Sequence, residues 1–160
     1  MNVPVAEALL DVVAREGAGS LLLAWDDAAR FIVGDVSGEL RSAGVDVVEY
    51  HVEGGCGGLG YPAARARELA GALEASGAEL LVGLGSGCLL SLAKLAWLLR
   101  HRPTLEPGRI LPGARLGVRG ARPKLVAAPI GGAGREVDNA AVLEEEGRAL
   151  AVITPEIVPS

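Results

Sequence analysis

Three glycines at alternate positions, Gly83, Gly85 and Gly87, lie in VGLGSGCLLSLAK (82–94), where an apolar run passes into a helical pattern. A backbone without Cβ atoms can approach an anion closely, and the free amides and dipole of a helix N-terminus favour a phosphate there. The spacing is neither GxGxxG in register nor a Walker-type GxxxxGK, so the Rossmann and P-loop fingerprints both fail. A tight turn that lets the helix pack close to its strand is an equal alternative. A second glycine turn, Gly131, Gly132 and Gly134 in GGAGREVDN, follows a later apolar run. In an open parallel sheet, loops at the carboxyl ends of the strands converge on one crevice. Asp26 and Asp27 follow the first apolar run. A carboxylate there takes a ribose hydroxyl or caps the next helix, and capping is the favoured role.

Acid–base and nucleophilic constellations are not evident. His51 and His101 are the only histidines. They form no HxxxH pair and have no reason to meet, so both are expected at the surface or an edge. Ser86 and Ser91 lack an adjacent base, and Glu144, Glu145 and Glu146 read as a solvated turn. Cys56 and Cys88 lie far apart in sequence and without metal-ligand spacing; they are expected as free thiols, with no disulfide framework or zinc site. No catalytic residue and no metal ligand is assigned.

The elements that would position these groups alternate. Residues 5–15 carry Val5, Leu9, Val12 and Val13 at helical spacing before Gly17. SLLLAW (20–25) suits a strand buried on both faces. A helical pattern from Asp26 through Ala43 and a strand within 43–53 follow, then a flexible glycine linker, 54–62. A helix over 63–76, a strand over 78–84 and a helix over 88–100 come next. Residues 101–123 dissolve into Pro, Gly and Arg, a surface excursion. A strand over 124–130 and a hairpin turning at Glu146 and Gly147 complete the chain. This rhythm predicts an α/β fold: an open, mainly parallel, Rossmann-like sheet with helices on both faces and right-handed crossovers, plus a C-terminal β-hairpin.

Composition bounds the function. At 160 residues the chain is expected to be one domain, 1–160. Half of it is hydrophobic but only 3% aromatic, so the core is built from aliphatic side chains. Fifteen basic against twenty acidic residues, with no basic block, argue against a nucleic-acid partner. No signal-like start or membrane-length apolar run occurs, so a cytoplasmic location is expected.

Two segments, in order, resemble a known family. LLVGLGSGCLLSLAK resembles the GGGSxxDxAK segment of the iron-containing alcohol dehydrogenase and glycerol dehydrogenase family, which shares its fold with dehydroquinate synthase. KLVAAPIGGAGREVDNAAVLEEEGRALAVITPEIVP resembles the strand, PTTAGTGSEVT motif and hairpin that follow it there. The resemblance covers nearly the whole chain but only the family's N-terminal half, an α/β domain that binds NAD or NADP with its pyrophosphate on the glycine segment. It implies cofactor contacts at Asp26, Gly85, Ser86, Gly87, Cys88, Ser91, Lys94, Ile130, Gly132, Gly134 and Arg135. Gly85, Ser86 and Gly87 fall on the three glycines, Cys88 on the serine, Ser91 on the aspartate and Lys94 on the lysine. In the second motif Pro129, Gly132, Gly134, Glu136 and Val137 match; the threonine pair shrinks to Ile130 and the serine is Arg135. The hydroxyls that would bond the cofactor are therefore missing.

The family's metal ligands come from a C-terminal helical domain, and this sequence stops at Ser160 before that region. The expectation is a stand-alone dehydrogenase-like domain that binds a nucleotide or other phosphorylated ligand, with Arg135 a candidate phosphate clamp, and without alcohol dehydrogenase activity or a metal of its own. The alternatives are one subunit of a split metal-dependent dehydrogenase whose partner chain supplies that domain, and a degenerate self-associating protein. A homodimer is expected, since an apolar face without its covering domain would otherwise be a solubility hazard.

Overall fold

The computed structural model describes residues 3–131 and 138–160. Helix α1 (Pro4–Glu16) starts on a proline, whose missing N–H costs nothing at that position, and ends on Gly17 in the left-handed conformation (φ 62°). Ala6, Leu9 and Val13 form its buried stripe. Strand β1 (Ser20–Trp25) follows, then helix α2 (Val33–Ser42), strand β2 (Asp46–His51), helix α3 (Ala64–Ser76), strand β3 (Leu80–Gly85), helix α4 (Gly87–His101) and strand β4 (Lys124–Pro129). These four strands form one parallel sheet in the order β2-β1-β3-β4.

That order fixes the layers. After β1 the chain steps outward to β2, but after β3 it steps the other way to β4. Right-handed crossovers therefore put the intervening helices on opposite faces. One face carries α1 and α2 against Leu21, Leu23, Leu80, Val82, Leu84 and Val126. The other carries α3 and α4 against Leu22, Ala24, Leu81 and Leu125. The alternation of Leu21 and Leu23 with Leu22 and Ala24 is the two-residue period of a strand covered on both sides. At Gly83 an added Cβ would lie 3.2 Å from Leu90 and 3.3 Å from Ala93, so this glycine brings α4 close to β3. That is the packing role set beside phosphate binding above.

Strands β5 (Ala140–Glu145) and β6 (Arg148–Ile153) make the expected antiparallel hairpin. Its two-residue turn places both Glu146 (φ 50°) and Gly147 (φ 76°) at positive φ, as a type I′ turn requires. Ala141, Leu143 and Val152 bury the hairpin in the same core cluster as α4. The excursion 102–123 lies over the surface, pinned by hydrogen bonds. Arg67 donates to the carbonyls of Pro103 and Leu105, both at 2.9 Å. The Glu156 carboxylate accepts from the amides of Leu116, Gly117 and Val118.

Three expectations change. The helical pattern from Asp26 to Ala43 splits into a single 3-10 turn, Asp27–Ala29, and α2. The Asp26 side chain accepts the Ala28 amide and closes that turn one residue into the pattern. Residues 54–62 are not a free linker. Gly57 and Gly60 pair, Pro62 bridges to Glu144, and Tyr61 is buried at 1% exposure. The backbone of Gly60 also approaches β5 so closely that an added Cβ would lie 2.9 Å from the Val142 carbonyl. The third change concerns the cysteines: Cys56 and Cys88 are joined as a disulfide across 32 residues of sequence. Spacing along the chain says nothing about a pair that the β2–α3 loop folds back onto the first turn of α4.

Candidate functional site

The reversal of strand order between β1 and β3 is a topological switch point. The loops leaving those two strands diverge there and open a crevice at the carboxyl edge of the sheet. Asp26 follows β1 and Ser86 follows β3, and the pairing of Trp25 with Leu84 brings the two together. Asp26, 4% exposed, is the hub. Its Oδ1 accepts the amides of Ala28 and Ser86, both at 3.2 Å. Its Oδ2 accepts the hydroxyls of Tyr61, at 3.3 Å, and of Ser86. Because Ser86 Oγ also accepts the Leu89 amide as the N-cap of α4, its single proton points to the carboxylate. A negative charge at this end of a 15-residue helix is favoured by the helix dipole.

Gly85 makes the arrangement sterically possible. A Cβ there would sit 2.3 Å from Asp26 Oδ1 and 2.8 Å from Leu89 Cδ2. Burial pushes the Tyr61 hydroxyl up to about 12, and the neighbouring Asp26 charge and hydrogen bond push in the same direction. Arg65 lies over the Tyr61 ring, 5.7 Å from its centroid.

Solvent reaches the β3–α4 junction only in part. Leu84, Gly85, Leu89 and Leu90 are buried, whereas Ser86, Gly87 and Cys88 are partly exposed. Gly87 and Cys88 are the first two helical residues, so their amides have no intrahelical acceptor. Beside them is a mostly apolar cavity of about 390 Å³, walled by residues 57–60, by Gly87, Cys88 and Ser91, and by Val142 and Ala149. On the far side of Asp26, at the ends of β1 and β2, Trp25 stacks on His51 with ring centroids 3.9 Å apart. His51 Nε2 is 2.9 Å from Asp27 Oδ1, and Arg30 pairs with the same carboxyl. Arg30 first, then His51, hold Asp27 below the usual carboxylate range.

The other expected positions lie deeper or elsewhere. Ser91 Oγ accepts the Val142 amide at 3.1 Å. Lys94, fully buried, donates to the carbonyls of Asp138 (2.9 Å) and Ala140 (3.1 Å) and pairs with the Asp138 carboxylate. Both side chains thus join α4 to the hairpin, and Ser91 also lines the cavity. The Ile130 amide donates to the Gly85 carbonyl at 2.7 Å, which sets the start of the second glycine turn beside the first. Gly132, Gly134 and Arg135 lie outside the described residues. His101 is remote from the crevice: its Nε2 lies 3.1 Å from the Pro123 carbonyl, and burial lowers its pKa below the ordinary imidazole value. Among the described residues, no group of three or more His, Cys, Asp or Glu could hold a metal ion.

Two residues escape sequence reasoning: Tyr61 in the site, and Cys56, bonded to Cys88 at its edge. Tyr61 carried a signal: it is one of only two tyrosines and stands alone at the end of a glycine-rich loop. Cys56 carried none.

A doubly wound parallel sheet, with a capped helix N-terminus at its switch point and a hairpin packed on that helix, defines a Rossmann-like α/β fold. The chain has, specifically, the fold of the N-terminal α/β domain of iron-containing alcohol dehydrogenases. The Thermococcus thioreducens iron-containing alcohol dehydrogenase matches 99% of this chain and 42% of its own, with TM-score 0.80 and 23% identity. The Oenococcus oeni alcohol dehydrogenase matches 97% of this chain and 40% of its own, with TM-score 0.77 and 20% identity. A sulfoacetaldehyde reductase from Bifidobacterium kashiwanohense, solved in complex with NAD+, matches 99% of this chain and 42% of its own, with TM-score 0.70 and 17% identity. The chain thus spans about two fifths of the length of these structures. No protein-family model and no curated protein sequence matches it.

Proposed function

We propose that the protein binds a nucleotide or a related phosphorylated ligand in the crevice between β1 and β3. The observation that carries this reading is the opening of α4 at the switch point, where the partly exposed Gly87 and Cys88 amides have no intrahelical acceptor. The diphosphate is assigned to those amides. The nucleoside end is assigned to the rim by Asp26 and the Trp25–His51 stack, or to the apolar cavity along α4. NAD, NADP and ADP are the candidate ligands, and the NAD+ held by one protein of this fold supports that choice. Asp26 serves as the floor of the site, because its acceptor positions are already filled by Ala28, Ser86 and Tyr61. Ser91 and Lys94 support α4 from behind. On this reading, alcohol oxidation belongs to the part of the neighbouring structures that this chain does not cover.

Isothermal calorimetry tests it. ADP and NAD at millimolar concentration should give saturable heat and raise the melting temperature. Inorganic pyrophosphate should compete, and adenosine should not bind. Absence of heat and of any melting shift with NAD, NADP, ADP and ATP would sink the proposal.

A further inference from the structure

Cys88 belongs to the proposed nucleotide site through its amide, but the chemistry of its bond to Cys56 does not depend on that reading. The two Cα atoms are 6.1 Å apart, within the range of bonded cysteines. Their surroundings differ. Cys56 sits on an exposed loop, whereas Cys88 is the second residue of α4 and only partly exposed. The loop is fixed at its base: the Tyr61 carbonyl accepts the Glu144 amide at 2.9 Å, and the Glu144 carbonyl accepts the Ala63 amide at 2.7 Å. Its tip is not fixed in that way. Among the described residues, the Gly60 amide donates to the Gly57 carbonyl, so this bond closes on the loop itself. The sulfur bridge is what ties the tip to α4, and through it residues 57–60 become one wall of the cavity beside Gly87 and Ser91.

We infer that Cys56 and Cys88 form a reversible thiol–disulfide exchange site, with a small dithiol as reductant and a small-molecule disulfide as oxidant, whose oxidised form latches residues 54–60 against the first turn of α4. In reduction, one thiolate of the dithiol attacks the exposed Cys56 Sγ. The Cys56–Cys88 bond breaks and Cys88 leaves as a thiolate. That departure is favoured at a helix N-terminus, which stabilises the anion and improves the leaving group. The second thiolate of the reductant then attacks its own sulfur in the mixed disulfide, expels the Cys56 thiolate and closes the reductant's own disulfide. Two electrons pass to the protein, and the dithiol's two protons end on Cys56 and Cys88. Reoxidation by a small disulfide reverses the exchange and releases two small thiols.

The test uses the full chain in a series of reduced-to-oxidised dithiothreitol ratios, with rapid alkylation and intact mass measurement. The expected result is a shift from no alkylated cysteine to two, reversed on returning to the oxidising end. Two alkylated cysteines at the oxidising end, or disulfide-linked dimers in place of the intrachain bond, would overturn the exchange site. Hydrogen exchange reads the latch. Reduction should speed amide exchange over residues 54–60 and the first turn of α4 on the order of tenfold while β1 and β3 stay protected. Equal exchange in both redox states would refute the latch. Cys56→Ser should exchange like the reduced protein whatever the oxidant, and protection like that of the oxidised protein would count against the inference.

Discussion

An ionised carboxylate offers about four acceptor positions, and Asp26 fills them with the Ala28 amide, the Ser86 amide and hydroxyl and the Tyr61 hydroxyl. Replacing it by alanine leaves those donors unpaired at a site that solvent reaches only in part. Asp26→Ala is expected to cost about 2–4 kcal/mol, read as a lower urea midpoint, and to weaken ADP binding by disordering Ser86 at the head of α4. Tyr61 gives a pH signature. Its native pKa of about 12 lies above the ordinary tyrosine value, so between the two the folded state holds a proton that the unfolded state has lost. The stability it contributes is complete below pH 10 and declines as pH rises from 10 to 12. In a tyrosinate absorbance titration the folded protein should show a late component near pH 12 that Tyr61→Phe removes. Much of this hub was legible: Asp26 at the end of β1 and the glycine turn after β3 follow from pattern alone, and capping was the favoured role for Asp26. Tyr61, despite its signal, was missed because its loop reads as a linker until β5 is seen to bond its base.

Helix α4 carries the clearest case of residues that resemble a cofactor segment and are engaged in architecture. Lys94, buried beneath the hairpin, meets the carbonyls of Asp138 and Ala140 and the Asp138 carboxylate. Cutting it back to alanine removes one charged partner of that carboxylate and the donor to the two carbonyls. Lys94→Ala is expected to destabilise by about 2–3 kcal/mol, with hydrogen exchange rising first in β5 and β6. Ser91→Ala, which loses one bond to the Val142 amide, should cost about 1 kcal/mol. If both variants left the hairpin's exchange unchanged, the docking role would be wrong. Strands and helices were largely readable because two-residue and helical periods are local. The split of the second helix was not, since it depends on where Asp26 points its carboxylate. The use of Lys94 was not either, since its partners lie 44 and 46 residues away along the chain.

Across the whole molecule, the one covalent cross-link encloses α3 and β3, a helix and a central strand of the parallel sheet. Closing a loop with a sequence separation of 32 residues removes unfolded-state entropy equivalent to about 3–4 kcal/mol. A domain of this length loses a few degrees of melting temperature per kcal/mol. Reduction should therefore lower the calorimetric midpoint by roughly 10 °C. The effect differs in kind from the latch. It acts on the unfolded chain, so it should appear as a shift in midpoint, whereas opening of the glycine loop appears in local exchange well below the transition. Cys88→Ala and Cys56→Ser should each reproduce the reduced midpoint and make it insensitive to dithiothreitol. Oxidised and reduced proteins melting within a degree or so of each other would mean either that the bond does not form in solution or that the unfolded chain is already compact around α3 and β3. Counting alkylated thiols in the same samples separates the two.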